Sequence, residues 1–321
     1  MSHYDVFNGD ADRICALHQL RLADPRHGVL VTGVKRDIDL LARVPAQSGD
    51  SVTVLDVSLE RNRDALATLL ARGVEVRYFD HHFAGDVPVH PRLHLWLDPA
   101  PGICTCVLVN RYLGGRYKPW AVVGAYGDNL PEAAQALARS AGLEPAEADL
   151  LRVLGEGINY NAYGDSEADL LVPPGRLYEH LRSYPDPLDF IAREPLAAAL
   201  AARQREDLAR AEGVTPATLL PGGSLYRLPE AAWSRRVQGA FANAVSLRSP
   251  SLAHAVLRPV APGLLLVSVR APRLQPRGAD SLCRRFATGG GRPAAAGIDR
   301  LPEERLPEFI AAFGSAYPGA G

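Results

Sequence analysis

Acidic and histidine side chains occur at four points in the first part of the chain, in patterns that suit metal binding. Three of the points follow short apolar stretches, and these are Asn8-Gly9-Asp10-Ala11-Asp12, Asp56 and Asp80-His81-His82. The fourth is Asp128, in the run AVVGAYGDN. Carboxylates that converge repel one another unless a cation neutralises them, and oxygen ligands with an imidazole nitrogen suit Mg²⁺ or Mn²⁺. Because such an ion lowers the pKa of bound water and polarises a phosphoryl oxygen, the pattern predicts metal-assisted phosphoester hydrolysis.

The segments around these residues indicate a parallel α/β sheet with helices on both faces. Short apolar, β-branched stretches that predict strands are Tyr4–Phe7, Gly28–Val34, Ser51–Ser58, Val74–Phe79 and Leu93–Leu97. Helical patterns over Ile14–Ala23 and Asn62–Ala71 separate some of them. Strands that alternate with helices favour a parallel sheet, and functional groups gather at the carboxyl ends of its strands. Three of the four motifs lie at such ends, so we expect them to converge in space.

The rest of the chain predicts a helical region and then a second, smaller α/β lobe. The strand signal fades after residue 130, and the stretch 196–212 has strong helix propensity without a breaker. Strands are predicted over Ser224–Leu228, Ala253–Val260 and Leu264–Val269, with a helix near Val237–Leu247. We therefore predict a metal-binding catalytic domain over 1–195, mainly helical in 130–195, a connecting helix over 196–212 and a substrate-binding domain over 213–321.

Composition excludes several classes of protein. The 321 residues are 47% hydrophobic and 22% charged with a net charge of −1, which is ordinary for a soluble globular protein and excludes a uniformly basic nucleic-acid coat protein. No apolar run approaches the ~20 residues of a membrane helix, and the N-terminus shows no secretory pattern. Cys104 and Cys106 lie in an apolar, helix-like stretch, which favours core thiols over a metal site. We expect a cytoplasmic protein without a membrane partner.

These motifs, in this order, resemble the DHH phosphoesterase superfamily, which is named for a triplet present here as Asp80-His81-His82. The first motif resembles the family pattern D-x-D-A-D-G and reads N-G-D-A-D-R, while Asp56 and Asp128 match two isolated family aspartates. Ser268-Val269-Arg270 and the stretch 289–297, GGGRPAAAG, resemble signatures of the DHH-associated C-terminal domain. The resemblance therefore covers nearly the whole chain.

The resemblance implies roles for individual residues. Four ligands would hold one Mn²⁺ or Mg²⁺ ion, and these are Asp10, Asp56, His81 and Asp128. Asp56 would bridge to a second ion, which would also take the residue at the position of Asn8. Asp80 would support the histidines, and His82 would contact the scissile phosphate. Substrate-binding groups in the C-terminal domain would be Arg270, Gly289, Gly290, Gly291 and Arg292.

Three residues depart from the family pattern. Asn8 stands where the pattern has Asp, so the second ion loses a charged ligand, and we expect it to bind weakly or to arrive with substrate. Arg13 replaces a Gly: it is damaging if that position needs a left-handed backbone, and adaptive if it reaches a substrate phosphate. Arg292 replaces a His and keeps a phosphate donor that is permanently cationic.

The run Asn159-Tyr160-Asn161-Ala162-Tyr163-Gly164 has two interpretations. It is either a turn between helices or part of a cleft wall that offers amide and ring contacts to a base. The sequence does not separate them.

The predicted function is hydrolysis of dinucleotides or very short oligonucleotides to mononucleotides. The family that the chain resembles includes single-strand exonucleases of the RecJ type, and such an activity is one alternative to the predicted function. No additional nucleic-acid-binding module is evident, so we expect no stable long nucleic-acid partner. A second alternative is a nucleotide-binding protein in which Asn8 and Arg13 have impaired the metal site. The resemblance also allows a homodimer.

The near-zero net charge conceals a segregation of charge. Residues 235–300 contain 11 Arg but only Asp280 and Asp299 as acids, for a net charge of +9. Only Lys35 and Lys118 are lysines, against 33 arginines. Arginine offers two parallel donors to phosphate, so the segregation places a basic field on the predicted substrate-binding domain.

Overall fold

The chain divides into two structural units, Met1–Gln204 and Arg205–Gly321. The computed structural model describes residues 1–319. The division falls within a long helix, Pro195–Glu212, at the place where the sequence predicts a helix over 196–212. Each unit has its own sheet and its own hydrophobic core. Within residues 1–319, no helix is both long enough and apolar enough to span a membrane.

A parallel sheet forms the centre of the first unit. Its strands are β1 (His3–Val6), β2 (Val29–Val31), β3 (Ser51–Leu55), β4 (Glu75–Asp80) and β5 (Leu93–Leu97). Among the described residues they pair in the order β2-β1-β3-β4-β5, and every pair is parallel. The chain leaves β1 towards β2 on one side and returns to β3 on the other. The gap between the ends of β1 and β3 is therefore the switch point at which open α/β sheets bind ligands.

Helices cover both faces of this sheet, as the sequence predicts. The helices of the unit are α1 (Ala11–Ala23), α2 (Arg63–Ala71), α3 (Thr105–Tyr112), α4 (Lys118–Gly127), α5 (Pro131–Ser140), α6 (Pro145–Asn161), α7 (Pro174–Leu181), α8 (Pro187–Arg193) and α9 (Pro195–Glu212). Alternate strand residues point to opposite faces. Val52 and Val54 accordingly join the core that includes Leu66 of α2, whereas Leu55 and Phe79 join the core formed with the helices of the opposite face.

The second unit is a mixed α/β structure. Its strands are β6 (Thr218–Leu220), β7 (Gly223–Arg227), β8 (Ala253–Ala261), β9 (Leu264–Arg270), β10 (Gly289–Arg292) and β11 (Ala295–Pro302), and its helices are α10 (Ala232–Arg248), α11 (Ala279–Cys283) and α12 (Leu306–Ala316). The described strands pair in the order β10-β11-β9-β8-β7-β6, and β7 and β8 are parallel while the other pairs are antiparallel.

The sequence does not predict β10 and β11, and it extends β3 too far. β10 reads GGGR and β11 begins AAG, and Gly and Ala have low strand propensity. β11 pairs with β9, which is rich in Leu and Val, and β10 pairs with β11, so neighbouring strands determine their conformation. The strand predicted through Ser58 ends at Leu55 because Asp56 adopts a left-handed backbone conformation, with φ of 55°.

His18 in α1 makes the stability of the first unit sensitive to mild acid. Its Nε2 lies 2.9 Å from the carbonyl oxygen of Tyr184, which fixes the tautomer, and its Nδ1 has no hydrogen-bond partner among the described residues. Burial lowers the pKa of His18 from 6.5 to about 4, although the Tyr184 carbonyl opposes the shift. In the unfolded chain the ring binds a proton near pH 6.5, whereas in the folded state it remains neutral until about pH 4. Between these pH values, protonation stabilises the unfolded state relative to the folded one.

We expect this unit to lose roughly 3 kcal/mol of stability as the pH falls from 6.5 towards 4, at ~1.4 kcal/mol per pKa unit. The full contribution of His18 is present above pH 6.5. Urea unfolding at a series of pH values measures the effect. The variant His18→Gln keeps a donor for Tyr184 without a titrating ring, and its curve is expected to be flatter in this range. Identical pH dependence in both proteins would exclude His18 as the cause.

Candidate metal centre

The carboxyl ends of β1, β3 and β4 bring the predicted acidic and histidine residues to the switch point. Asp10 and Asp12 follow β1, Asp56 follows β3, and Asp80 closes β4 directly before His81. Asp128, at the end of α4, reaches the same place from outside the sheet. The parallel topology therefore assembles side chains that are far apart in the sequence.

Asp56 is the centre of the arrangement. Its carboxylate is buried, and its Oδ1 accepts a hydrogen bond from Thr105 Oγ1 at 3.0 Å and lies 3.1 Å from His81 Nε2. Its backbone N–H donates to the carbonyl oxygen of Phe79 at 2.9 Å, which holds a left-handed conformation that is uncommon outside glycine. Strain of this kind, held by surrounding contacts, is typical of functional positions.

Asp12, His81 and Asp128 form a group with the geometry of a metal site. Ligand atoms of the three side chains all lie within 4.8 Å of one another. Both oxygens of Asp12 also accept backbone N–H groups at the start of α3, from Thr105 at 2.8 Å and Cys106 at 2.7 Å. These bonds fix the carboxylate in place, and each oxygen keeps a second lone pair for a cation.

Electrostatics within this group favour a cation. Burial, reinforced by the charge of Asp56, raises the pKa of Asp12 to about 6. Burial and the charge of Asp12 raise the pKa of Asp128 to about 7. Burial would lower the pKa of His81, but its hydrogen bond to Asp56 raises it to about 10. The raised pKa values of Asp12 and Asp128 mean that ionising both carboxylates is costly, and the raised pKa of His81 means that its ring retains a proton. The group therefore lacks positive charge, and its donor atoms fit a divalent cation.

His82 and Asp80 form a supported pair beside the group. The ring Nδ1 of His82 lies 2.7 Å from Asp80 Oδ1, and the same oxygen accepts the backbone N–H of His82 at 3.1 Å. The hydrogen bond to Asp80 raises the pKa of His82, which favours the imidazolium. Asp80 is fully buried whereas the His82 side chain is 42% exposed, so a cationic ring held at one end is accessible at the other.

Asp10 is bound by two protein cations. Arg13 Nη1 lies 2.5 Å from Asp10 Oδ2, and Lys35 Nζ lies 3.5 Å from the same oxygen. Asp10 is also the N-cap of α1, where its Oδ1 accepts the backbone N–H of Arg13 at 3.2 Å. Asn8 uses its amide within the same loop, accepting the N–H of Asp10 at 3.2 Å and donating to the carbonyl of Lys35 at 3.0 Å. That Asp10 and Asn8 ligate a metal remains a prediction.

The stretch 159–164 contains the end of α6 and the turn that follows it, as one of its two interpretations predicts. Asn161 has a structural role, because its side chain accepts the N–H of Leu171 at 3.0 Å and donates to the carbonyl of Val172 at 2.8 Å. Asn159 and Tyr163 contact Lys35 instead, and contacts to a base remain a prediction. Lys35 donates to Asn159 Oδ1 at 2.6 Å, and its Nζ lies over the Tyr163 ring at 5.3 Å from the centroid.

Cys104 and Cys106 form a second group of potential ligands with Asp12. The two sulfur atoms are 3.4 Å apart, and both side chains are buried. Burial raises the pKa of Cys104 to about 12 and that of Cys106 well above its ordinary value, so both remain thiols near neutral pH. Both residues belong to the hydrophobic core of the first unit, as the sequence predicts.

The predicted substrate-binding residues lie in the second unit. Arg270 ends β9, donates from Nε to Asn243 Oδ1 at 2.7 Å, and lines a cavity of about 320 Å³ together with Arg273. The glycines Gly289–Gly291 and Arg292 form β10, where Arg292 is exposed. Other arginines of the basic segment have internal roles, because Arg236 pairs with the buried Asp207 and Arg258 donates to Gln238.

Sequence reasoning omits two residues from the predicted site. Asp12 lies within the first motif but was not predicted as a ligand, although its side chain is the one that meets His81 and Asp128. Lys35 is one of only two lysines in a chain with 33 arginines, and that rarity is the signal that could have identified it.

Comparison with known proteins shows the fold. No family model and no curated protein matches the chain. A crystal structure of exonuclease RecJ bound to manganese superimposes with a TM-score of 0.63 at 18% identity, over 98% of this chain and 90% of that one. RecJ from Thermus thermophilus with Mn²⁺ gives 0.60 at 20% identity, over 98% of this chain and 51% of that one, so this chain spans about half its length. The pGpG-specific phosphodiesterase PggH from Vibrio cholerae gives 0.57 at 13% identity, over 97% of both chains.

These similarities place the chain in a structural class. It has the fold shared by RecJ and PggH, with the acidic and histidine cluster at the carboxyl edge of the parallel sheet. The match confirms the α/β fold with a parallel sheet that the sequence predicts.

Proposed function

We propose that the protein is a metal-dependent phosphodiesterase that hydrolyses dinucleotides or very short oligonucleotides to mononucleotides. The convergence of Asp12, His81 and Asp128 around the strained Asp56 carries the proposal, because a set of two carboxylates and an imidazole, with Asp12 buried and the other two half-buried, suits a divalent cation. The RecJ and PggH structures that share the fold have nuclease and phosphodiesterase names, which supports the same reaction class.

Mn²⁺ or Mg²⁺ is the cofactor that we propose. Asp12, Asp56, His81 and Asp128 would hold it, and when bound it would polarise the phosphoryl oxygen and acidify the attacking water. RecJ structures contain Mn²⁺ in two cases and Mg²⁺ in a third, which supports this choice of ion.

Side chains of the first unit would orient the phosphate. His82, held by Asp80 through Nδ1, can donate its Nε2–H to a phosphate oxygen as an imidazolium. Lys35 stands on the other side of Asp10, steadied by Asn159, and supplies a second positive charge to the same region. Charge-assisted donors of this type stabilise the negative charge that develops on phosphorus oxygens.

The second unit supports a short nucleotide as substrate. Arg270 and Arg273 line one cavity in that unit, and guanidinium groups bind phosphate through parallel donors. PggH, whose name gives the dinucleotide pGpG as its substrate, shares this fold over 97% of both chains, and RecJ shares it as well, so the substrate panel below separates a dinucleotide from a long strand. Recognition of the far end of the substrate by Arg270, Gly289–Gly291 and Arg292 is part of this proposal.

A Mn²⁺-dependent assay on a substrate panel tests the function. The panel contains linear dinucleotides, cyclic dinucleotides, oligonucleotides of graded length, long single strands and pyrophosphate. We expect hydrolysis of linear dinucleotides that is lost in His81→Ala and retained in His27→Ala, which removes an exposed histidine. Preference for long single strands would overturn the substrate and favour a RecJ-type exonuclease. Tight binding without turnover would favour a nucleotide-binding protein, and hydrolysis that survives His81→Ala would refute the metal centre.

A further inference from the structure

Arg13 connects two carboxylates that the family resemblance assigns to metal ions. Its Nη1 lies 2.5 Å from Asp10 Oδ2, and its Nε lies 2.9 Å from Asp56 Oδ2. The same Nε donates to the backbone carbonyl of Asp56 at 2.5 Å. The Arg13 side chain is 9% exposed, so the guanidinium fills the space between Asp10 and Asp56 and excludes solvent from it.

The backbone at Arg13 carries no strain. The residue lies in the first turn of α1, where its backbone is helical, so the position does not require glycine for a left-handed conformation. Neither interpretation of Arg13 made from the sequence therefore holds: the backbone is undamaged, and the side chain points to the two carboxylates and away from solvent. What the arginine adds to the centre is a fixed positive charge between two anions.

The charge balance differs between the two sides of the centre. On the side of Asp10, the charges of Asp10 and Asp56 are matched by Arg13 and Lys35. On the side of Asp128, the carboxylates of Asp12 and Asp128 lie beside the His81 ring, whereas Arg13 and Lys35 make their ion pairs with Asp10 and Asp56. A divalent cation beside Asp10 would compete with a guanidinium that already binds both Oδ2 atoms, whereas one beside Asp128 would meet unbalanced carboxylates.

We propose that the Arg13 guanidinium takes the place of a second divalent cation, so that the centre holds one metal ion, ligated on the side of Asp12, His81 and Asp128. The inference rests on the proposed function for the presence of a metal, and it concerns the number of ions. It assigns the absence of a second ion to Arg13, whereas the sequence attributed a weak second site to Asn8. Arg13 thereby becomes a positioning residue that holds Asp10 and Asp56 in a fixed geometry.

Metal counting without substrate tests the proposal. Equilibrium dialysis against Mn²⁺, followed by elemental analysis, gives the number of ions per chain, and electron paramagnetic resonance separates an isolated Mn²⁺ from a coupled pair. The decisive comparison is Asn8→Asp with the double variant Asn8→Asp/Arg13→Ala, because both contain the carboxylate of the family pattern and differ only at Arg13. We expect one ion in the wild type and in Asn8→Asp, and a coupled pair in the double variant.

Two results would overturn the proposal. A coupled pair in the wild type or in Asn8→Asp would show that Arg13 does not exclude an ion, and a single ion in the folded double variant would show that Arg13 is not the cause. Arg21→Gln is the matched control, because Arg21 is a second buried arginine of α1 that pairs with Asp5, and we expect it to leave the count at one. If Arg13→Ala fails to fold, Arg13→Gln removes the charge and retains much of the packing. Absence of Mn²⁺ binding in the wild type would refute the metal centre itself, and with it this proposal, whereas inactivity on the panel with one bound ion would refute only the function.

Discussion

Replacing Asp12 by asparagine is expected to reduce hydrolysis at least about a thousandfold, because the several kcal/mol that a metal ion supplies to a phosphoryl transition state correspond to that factor. The Asp12 carboxylate meets His81 and Asp128 within 4.8 Å, whereas Asp10 is bound to Arg13 and Lys35. Asp10→Asn is therefore expected to have the smaller effect on metal affinity. Mn²⁺ titration and turnover of a linear dinucleotide measure both variants.

Asp12 also supports α3, and a second variant separates the two roles. Asparagine at position 12 can accept only one of the N–H groups of Thr105 and Cys106, so this variant loses about 1–3 kcal/mol of stability. Asp128→Asn removes a proposed ligand that does not bind the N–H groups of Thr105 and Cys106. We expect this variant to bind Mn²⁺ at least about a hundredfold more weakly, with little change in thermal unfolding. If Asp10→Asn loses more Mn²⁺ affinity than both other variants, the centre lies beside Asp10 and the assignment of Asp12 is wrong.

The sequence predicts where the candidate metal centre lies better than it predicts which residues form it. Asp56 and the triplet Asp80-His81-His82 follow predicted strands, and parallel topology brings strand ends together whatever their spacing in the chain. Asp10 and Asp12 differ in a way that the motif does not reveal. Residues two positions apart in a helix are rotated by about 200° about its axis. The N-cap Asp10 and the first-turn Asp12 therefore face different neighbours.

Contacts between distant segments account for what the sequence leaves open. The role of Arg13 depends on Asp56, which lies 43 residues away and reaches Arg13 only because β3 ends beside the start of α1. The same applies to Lys35, which contacts Asn159 across 124 residues. Such contacts depend on the loop that follows β2 and on the end of α6, whose packing no local pattern encodes. The glycine-rich β10 is a further case, because its strand conformation depends on pairing with β11.

Asp56→Asn is expected to affect both activity and stability, because the Asp56 carboxylate contacts both Arg13 and His81. Burial would raise the pKa of Asp56, but the Arg13 charge and the His81 hydrogen bond lower it, so it is ionised at neutral pH. Removing one partner of a buried ion pair costs about 3–5 kcal/mol, and the contact between Arg13 and Asp10 offsets part of this loss. We therefore expect a loss near the lower end of that range in urea unfolding with a chelator present.

The comparison of Asn with Gly at position 56 separates charge from backbone strain. Asparagine adopts the left-handed conformation more readily than most residues, and glycine adopts it without cost, so Asp56→Gly relieves backbone strain of roughly 1 kcal/mol that Asp56→Asn retains. Both variants lose the carboxylate, and both are expected to lose Mn²⁺ binding and at least about a thousandfold in turnover. If Asp56→Gly were as stable as the wild type in chelator, the buried contacts with Arg13 and His81 would contribute no more than the roughly 1 kcal/mol of strain that glycine relieves. Arg13 would then gain little from its bond to Asp56, and that outcome would weaken the case that its guanidinium competes with a metal ion. The unfolding and metal-counting experiments therefore test the same pair of charges by independent measurements.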